Sequence, residues 1–97
     1  MKNSYIIYTN NSEKYIGKVV SRILNKMQDD EQLIIVDDMS TDQTIPIVVG
    51  LVGYNWEDEE HYKLYINTSI KGKKKSIDMA KKIANDKYFK FIYGKRR

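Results

Sequence analysis

At residues 33–44 the sequence reads LIIVDDMSTDQT. An apolar run, Leu33 to Val36, stops on two adjacent carboxylates, Asp37 and Asp38, and a polar Ser-Thr-Asp stretch follows. Short apolar runs bounded by turn-forming residues are typical of strands that are buried on both faces. Parallel strands that are covered by helices are buried on both faces, so this segment agrees with an α/β fold.

The rest of the chain alternates between strand and helix patterns. Three more apolar runs, Tyr5–Tyr8, Tyr62–Ile66 and Tyr88–Tyr93, predict strands. After the first of them, apolar residues recur with alternating steps of one and three, as in an amphipathic helix. These residues are Tyr15, Ile16, Val19, Val20, Ile23, Leu24 and Met27. A later helix is predicted with Ile77, Met79, Ala80, Ile83 and Ala84 on its inner face.

A capping signal predicts a further helix between these two. Ser40 and Gln43 have the spacing of a capping box, which predicts a helix that begins near Thr41. Pro46 then falls about one turn inside, where its missing N–H costs a hydrogen bond, so we expect a short or distorted helix. After the last strand, residues 94–97 are expected to form a basic tail.

Together these elements predict one three-layer, Rossmann-like α/β domain that spans residues 1–97. Its four mostly parallel strands are expected in the order 3-2-1-4, with three helices, because right-handed crossovers wrap the chain in this way. In such sheets ligands bind beyond the carboxyl ends of the strands, where the strand order reverses. We therefore expect a site at the ends of the first two strands, at residues 8–11 and 37–40.

Composition limits the class of protein. Hydrophobic residues make up 41% and charged residues 31% of the chain, as in ordinary globular domains and unlike disordered chains. No apolar run approaches the roughly 18 residues of a membrane span, and no signal-peptide pattern is present, so we expect the cytoplasm of a bacterial or virus-infected cell. The absence of cysteine excludes disulfides and thiolate metal sites. A net charge of +4 is compatible with a polyanionic partner but does not predict one.

Two interpretations of Asp37 and Asp38 stay open on chemistry alone. Carboxylates at the end of a buried strand are placed to accept hydrogen bonds from the N–H and hydroxyl groups of a nucleoside. Alternatively, they only end the strand and tighten the turn, since Asp, Ser and Thr are common turn formers.

The ordered set of motifs resembles glycosyltransferase family 2, whose members have the GT-A fold. The matching segments are SYIIYTNNSEKYIGKVVSRIL, LIIVDDMSTDQT and YINTSIKGKKKSIDMAKKIA. The family typically has a strand ending in Pro-Thr-Tyr-Asn, a helix beginning near Glu-x-Tyr-Ile, and a strand with Val-Asp-Asp-x-Ser-Thr-Asp. Tyr8 stands where the family has Pro, and Asn10 where it has Tyr. The resemblance implies the nucleotide-binding N-terminal half of such an enzyme, with UDP or a UDP-sugar as the candidate ligand.

The same resemblance implies which residues bind the nucleoside. Thr9 matches a residue that lines the nucleoside pocket, and Glu13 matches an acid often found shortly after it. Asp38 matches the acid that contacts the base, and Asp37 lies beside it as a positioning acid.

The positions that correspond to the diphosphate and metal sites depart from the family. Lys71 and Lys73 lie where a family basic residue approaches the diphosphate, and Lys95 and Arg96 are further candidate contacts for a diphosphate or another polyanion. The family's Asp-x-Asp motif, which holds a divalent metal, corresponds here to residues 93–95, Tyr-Gly-Lys, so no metal site is predicted. We therefore expect a truncated domain without the metal motif or a catalytic base, which does not transfer sugar as an isolated chain.

A second hypothesis is a non-enzymatic binding module that reuses the fold. The lysines of residues 71–75 and 81–82, with the basic residues 95–97, would then form a face for a protein partner or a second copy of the chain. Nucleic acid is the less favoured partner for this face. Trp56 with its tyrosine neighbours is either a stacking platform for bases or a cover for one end of the sheet. The motifs alone leave enzyme and binding module both open.

Overall fold

Strands and helices alternate along the chain as the sequence predicts. A computed structural model describes residues 2–68, 72–84 and 88–96, and for residues 95 and 96 it describes the backbone alone. The elements are β1 (Asn3–Asn10), α1 (Ile16–Lys26), β2 (Gln32–Asp38), α2 (Thr44–Val52), a 3-10 turn (Gly53–Glu57), β3 (Tyr62–Asn67), α3 (Lys73–Ile83) and β4 (Phe89–Arg96).

The four strands form one parallel sheet in the order β3-β2-β1-β4, so the predicted topology is confirmed. β1 lies in the interior of the sheet with β2 on one side and β4 on the other, and Thr9 is paired with Asp37 and with Lys95. The carboxyl ends of β1, β2 and β4 therefore meet at one edge. This is the edge at which the sequence predicts a site.

Helices cover the two faces of the sheet unequally. On one face, Ile7 of β1 and Ile35 of β2 pack against α1 and α2 in the larger core cluster. On the other face, Ile6 and Ile34 pack against α3 through Ala80 and Ala84. The side chains alternate between the faces because successive residues of a strand point in opposite directions.

β4 is one of the two edge strands of the sheet, and several of its apolar side chains are exposed. Phe89 is 63% exposed, Phe91 45% and Ile92 42%. Large apolar side chains this accessible on an unpaired strand edge leave a surface suited to association.

The start of α2 differs from the prediction. The helix begins at Thr44, three residues later than expected, because Ser40 does not cap it. The Ser40 side chain instead donates to Asp37, and Asp42 accepts from the backbone N–H of Thr44. Pro46 consequently lies in the first turn of the helix, where its missing N–H costs no intrahelical bond. The expected distortion therefore does not arise.

The predicted basic tail is also corrected, because residues 94–96 belong to β4. The strand passes β1 unusually closely at Gly94, which has a φ of 157°. A Cβ at this position would lie 2.6 Å from the carbonyl oxygen of Tyr8. Only glycine permits this approach, which is why a glycine inside a strand is tolerated here.

We predict that Gly94→Ala destabilises the domain by roughly 2 kcal/mol or more, because a methyl group forces β4 away from β1. Urea denaturation followed by circular dichroism measures this. Gly50→Ala is the matched control, since Gly50 lies in α2 with no atom within 4 Å of its would-be Cβ. That substitution is expected to leave stability unchanged or to raise it by about 0.5–1 kcal/mol. Equal effects of the two substitutions would contradict the role given to Gly94.

Candidate functional site

The two aspartates of β2 serve opposite faces of the sheet. Asp37 and Asp38 are consecutive strand residues, so their side chains point to opposite sides. Asp37 lies on the face covered by α1 and α2, and Asp38 on the face covered by α3. The sequence presents them as a pair, but the fold gives them separate environments.

Asp37 is fully buried and its carboxylate binds groups of the chain itself. The Thr9 hydroxyl donates to Oδ1 at 2.6 Å, and the Ser40 hydroxyl donates to the same oxygen at 2.5 Å. The Ser40 backbone N–H donates to Oδ2 at 2.8 Å. These three bonds join the ends of β1 and β2 to the turn that follows. The geometry therefore favours the turn-tightening interpretation for Asp37, and it places Thr9 as its partner inside the protein.

Asp38 accepts hydrogen bonds on the face of the sheet that α3 covers. The Tyr8 hydroxyl donates to Oδ2 at 3.1 Å, and the Gly72 backbone N–H donates to the same oxygen at 2.7 Å. Oδ1 is buried and has no hydrogen-bond donor among the described residues. A buried carboxylate oxygen without a donor is costly, and such an atom at a sheet edge is a candidate contact for a ligand.

The loops that follow β1 and β2 are tied to each other. The Asn10 side-chain amide donates to the Asp38 carbonyl oxygen at 2.7 Å, and the Asn11 backbone N–H donates to Ser40 Oγ at 2.9 Å. Asn11 and Met39 both have left-handed backbones, with φ of 48° and 55°. Non-glycine residues with positive φ are uncommon and are found where the surrounding structure holds them in place, often at functional sites.

Glu13 precedes α1 in the sequence, but its exposed side chain lies beside the N-terminus of α2. Its carboxylate accepts from the backbone N–H of Gln43 at 3.2 Å, and its own N–H donates to Asp42 at 3.3 Å. Partial burial acts to raise the pKa of Asp42, but hydrogen bonds from the hydroxyl and N–H of Thr44 and from the Glu13 N–H outweigh it, so this pKa is lowered. Glu13 and Asp42 thus accept hydrogen bonds at the N-terminus of α2, where negative charge is favourable.

One of the predicted basic residues, Lys73, lies at the same edge of the sheet as Tyr8 and Gly94. The Lys73 ammonium lies 3.4 Å from the Gly94 carbonyl oxygen and 5.9 Å from the centre of the Tyr8 ring. Lys71 lies outside the described residues. The backbones of Lys95 and Arg96 pair with Thr9 and Asn10 at the same edge.

Two contacts of the site escape prediction from the residue pattern. The sequence shows Tyr8 only as a departure from the family pattern, and its bond to Asp38 depends on a diagonal contact between strands. The Gly72 contact uses a backbone N–H, which leaves no signal in a sequence. Trp56, by contrast, packs against the core and donates to the Val49 carbonyl oxygen at 3.2 Å, as expected of a cover for the sheet.

The described residues hold neither a cluster of metal ligands nor a helix that could span a membrane. Within 2–68, 72–84 and 88–96, no three His, Cys, Asp or Glu side chains lie close enough together to hold a metal ion. No helix in these ranges is long and apolar enough to cross a membrane.

Comparison with known proteins assigns the family. The family model described as glycosyl transferase family 2 matches residues 4–92. The chain belongs to glycosyl transferase family 2. The motifs at the ends of β1 and β2 had implied the same family, and this prediction is confirmed.

A solved structure of a glycosyltransferase shares the fold. It is the mannosyltransferase PcManGT from Pyrobaculum calidifontis in complex with GDP-Man and Mn²⁺, which aligns with a TM-score of 0.70 at 23% identity. The alignment covers 84% of this chain but 24% of the mannosyltransferase chain. The chain therefore spans about a quarter of that protein. No curated protein sequence matches the chain significantly.

We predict that Thr9→Val lowers the free energy of unfolding by about 1.5–3 kcal/mol, because the buried Asp37 carboxylate loses a donor while the side-chain shape is kept. Thermal and urea unfolding measure the change. Thr41→Val is the control, since Thr41 is exposed and its hydroxyl makes only a 3.4 Å contact with Asn11. It is expected to change stability by less than about 0.5 kcal/mol. A Thr9→Val protein as stable as the wild type would show that the bond to Asp37 is not needed.

Proposed function

We propose that the chain is a glycosyltransferase-like domain that binds a nucleotide or nucleotide-sugar at the carboxyl edge of β1 and β2. Membership of the family and the fold shared with a mannosyltransferase that binds GDP-Man support this class of ligand. UDP and UDP-sugars are the ligands to test first, as the sequence motifs imply.

The single observation that carries the proposal is the hydrogen bonding of the Asp38 carboxylate. One oxygen is held by Tyr8 and Gly72, which fixes the carboxylate, and the other is a buried acceptor with no donor in the described ranges. An N–H of a nucleobase supplies the donor that is missing. Burial of the carboxylate, which is 2% exposed, strengthens such a bond because water competes poorly there.

The groups around Asp38 also suit a phosphate. α3 begins at Lys73, directly after the Gly72 N–H that binds Asp38, so its free N–H groups face the same edge. The Lys73 ammonium adds a positive charge within reach of this edge. A nucleotide would therefore place its base near Asp38 and its phosphates near the start of α3.

The residues present do not fit a divalent metal. The positions that correspond to the family's Asp-x-Asp motif are Tyr93, Gly94 and Lys95, and a protonated lysine does not ligate a cation. Without a metal, only Lys73 and the start of α3 face the charge that develops on a leaving diphosphate, and no described residue is placed as a base for the acceptor. Of the acids at this edge, Asp37 is engaged in internal bonds, Glu13 in a bond to the start of α2, and Asp38 in the proposed contact with the base. We therefore propose binding without sugar transfer for this chain in isolation.

One observation favours a second candidate function, a binding module for another protein or a second copy. β4 has an unpaired edge and three large exposed apolar side chains, Phe89, Phe91 and Ile92. A further strand added there would satisfy the free backbone groups of the edge.

We predict that UDP shifts the backbone amide signals of Asp38, Ser40 and Gly72 in a ¹⁵N NMR titration at millimolar nucleotide. Asp38→Asn should abolish the shifts, because the amide replaces a pure acceptor with a group that also donates. Asp30→Asn is the control, since Asp30 is exposed and lies on the loop before β2. Added Mg²⁺ should change the affinity by less than about twofold, since no metal-ligand cluster is present in the described part of the chain.

Unfolding midpoints of both variants separate loss of binding from loss of fold. Absence of shifts near Asp38 in the wild type, or equal shifts in Asp38→Asn, would refute the proposed site.

We also predict no detectable sugar transfer or donor hydrolysis by the pure chain. Incubation with a panel of sugar nucleotides, followed by measurement of released nucleoside diphosphate, tests this. Release above the no-protein blank that disappears in Asp38→Asn would prove the prediction wrong.

A further inference from the structure

A second concave surface lies on the opposite face of the sheet from Asp38. It is an open cleft of about 480 Å³ between α1 and the carboxyl half of β4. We call it the basic cleft. Its lining includes Lys14, Lys18 and Arg22 from the α1 side and Tyr15 and Tyr93 as aromatic walls. Nothing in the proposed nucleotide site uses these side chains.

The cations of the basic cleft form a row. Lys18 and Arg22 lie one turn apart on α1, at a step of roughly 6 Å, and Lys14 lies in the turn that leads into the helix. All three line the cleft. All three are exposed. In the part of the chain that the structure describes, the one ion pair joins His61 to Asp58, so none of the three has a carboxylate partner. The row is therefore a positively charged surface, which favours an anionic ligand in the cleft.

Aromatic rings continue the surface along β4. Tyr93, Phe91 and Phe89 alternate along the strand on the face toward α1, at steps of roughly 6.6 Å. Tyr15, at the other wall, is 39% exposed. Lys26 lies 5.7 Å from the centre of the Tyr93 ring and adds a further positive charge to this surface.

We propose that the basic cleft binds single-stranded nucleic acid. Its phosphates would lie along Lys14, Lys18 and Arg22, and its bases would stack on Tyr15 and Tyr93. A positive groove lined with aromatic side chains is how proteins bind single strands without reading their sequence. The cleft holds three cations and two aromatic rings, so it offers positive charge to the phosphates and flat surfaces to the bases of a short single strand.

The shape of the surface favours this ligand over a membrane or an acidic protein. A planar bilayer does not fill a concave cleft, so lipid would leave the Tyr15 and Tyr93 walls without contact. A carboxylate-rich peptide would neutralise the cations but supplies no flat rings to stack on the tyrosines. Duplex DNA keeps its bases stacked inside the helix, so it also leaves the aromatic walls unused.

Fluorescence anisotropy with labelled twelve-nucleotide oligo-dT and oligo-U tests the proposal. The wild type should bind both, with log affinity falling against log salt at a slope of about −2, as expected for three phosphate contacts on a single strand. The triple variant Lys14→Glu, Lys18→Glu, Arg22→Glu should lose at least tenfold in affinity. The matched control reverses three exposed lysines of α3, Lys74, Lys75 and Lys81, which changes the net charge equally. It should lose less than about threefold.

A second pair of variants tests the stacking. Tyr15→Ala should weaken oligo-dT binding about fivefold or more, whereas Tyr54→Ala, at a residue that is 91% exposed outside the cleft, should not. Asp38→Asn should bind oligonucleotide normally, which distinguishes this cleft from the nucleotide site. Circular dichroism confirms the fold of each variant.

Several results would overturn the proposal. These are equal losses in the cleft and α3 variants, duplex binding as tight as single-strand binding, and competition by poly-glutamate as effective as by unlabelled oligonucleotide. Binding to vesicles of anionic phospholipid with no binding to oligonucleotide would overturn it as well.

Discussion

The buried hydrogen bonds of Asp37 hold together the edge on which the site depends. A carboxylate removed from water is tolerable only when donors surround it, and the fold brings Thr9 and Ser40 to it from two different segments. The parallel pairing of Thr9 with Asp37 makes this possible, because paired residues of neighbouring strands point to the same face. Once the ends of β1 and β2 are fixed, Tyr8 and Asp38, which meet diagonally across the two strands, are fixed on the other face. Asp37 thus acts on the candidate ligand site indirectly, by defining the register around it.

Much of the fold follows from local patterns, and the errors have physical causes. The periodicity of α1 and the apolar run of β2 predict both elements well, because burial decides both. The start of α2 was misplaced because Ser40 has two competing partners, and the carboxylate of Asp37 offers a stronger bond than a helix N-terminus does. The end of β4 was misplaced because glycine and basic residues are typical of tails, whereas pairing with β1 extends the strand through them.

The position of the candidate site follows from the sequence, but the different hydrogen-bond partners of its two aspartates do not. Topology places residues 8–11 and 37–40 at one edge, and the structure confirms that they meet there. Asp37 and Asp38 are neighbours in the sequence, yet strand alternation places them on opposite faces, and among the described residues Asp38 Oδ1 has no donor. The Tyr8 hydroxyl and the Gly72 N–H become visible only in three dimensions, since one contact is diagonal and the other uses the backbone.

The pairing of β4 with β1 has a consequence for how the chain reaches its native state. Asn3 pairs with Phe89, so β1 cannot acquire its second neighbour until the chain has been synthesised through β4. Contacts so distant along the chain carry a large loop-closure cost and slow the folding of parallel sheets. During synthesis on the ribosome, β1, α1 and β2 have time to associate while one side of β1 still lacks its partner. The exposed side of that strand is then the surface at which aggregation or chaperone binding would begin.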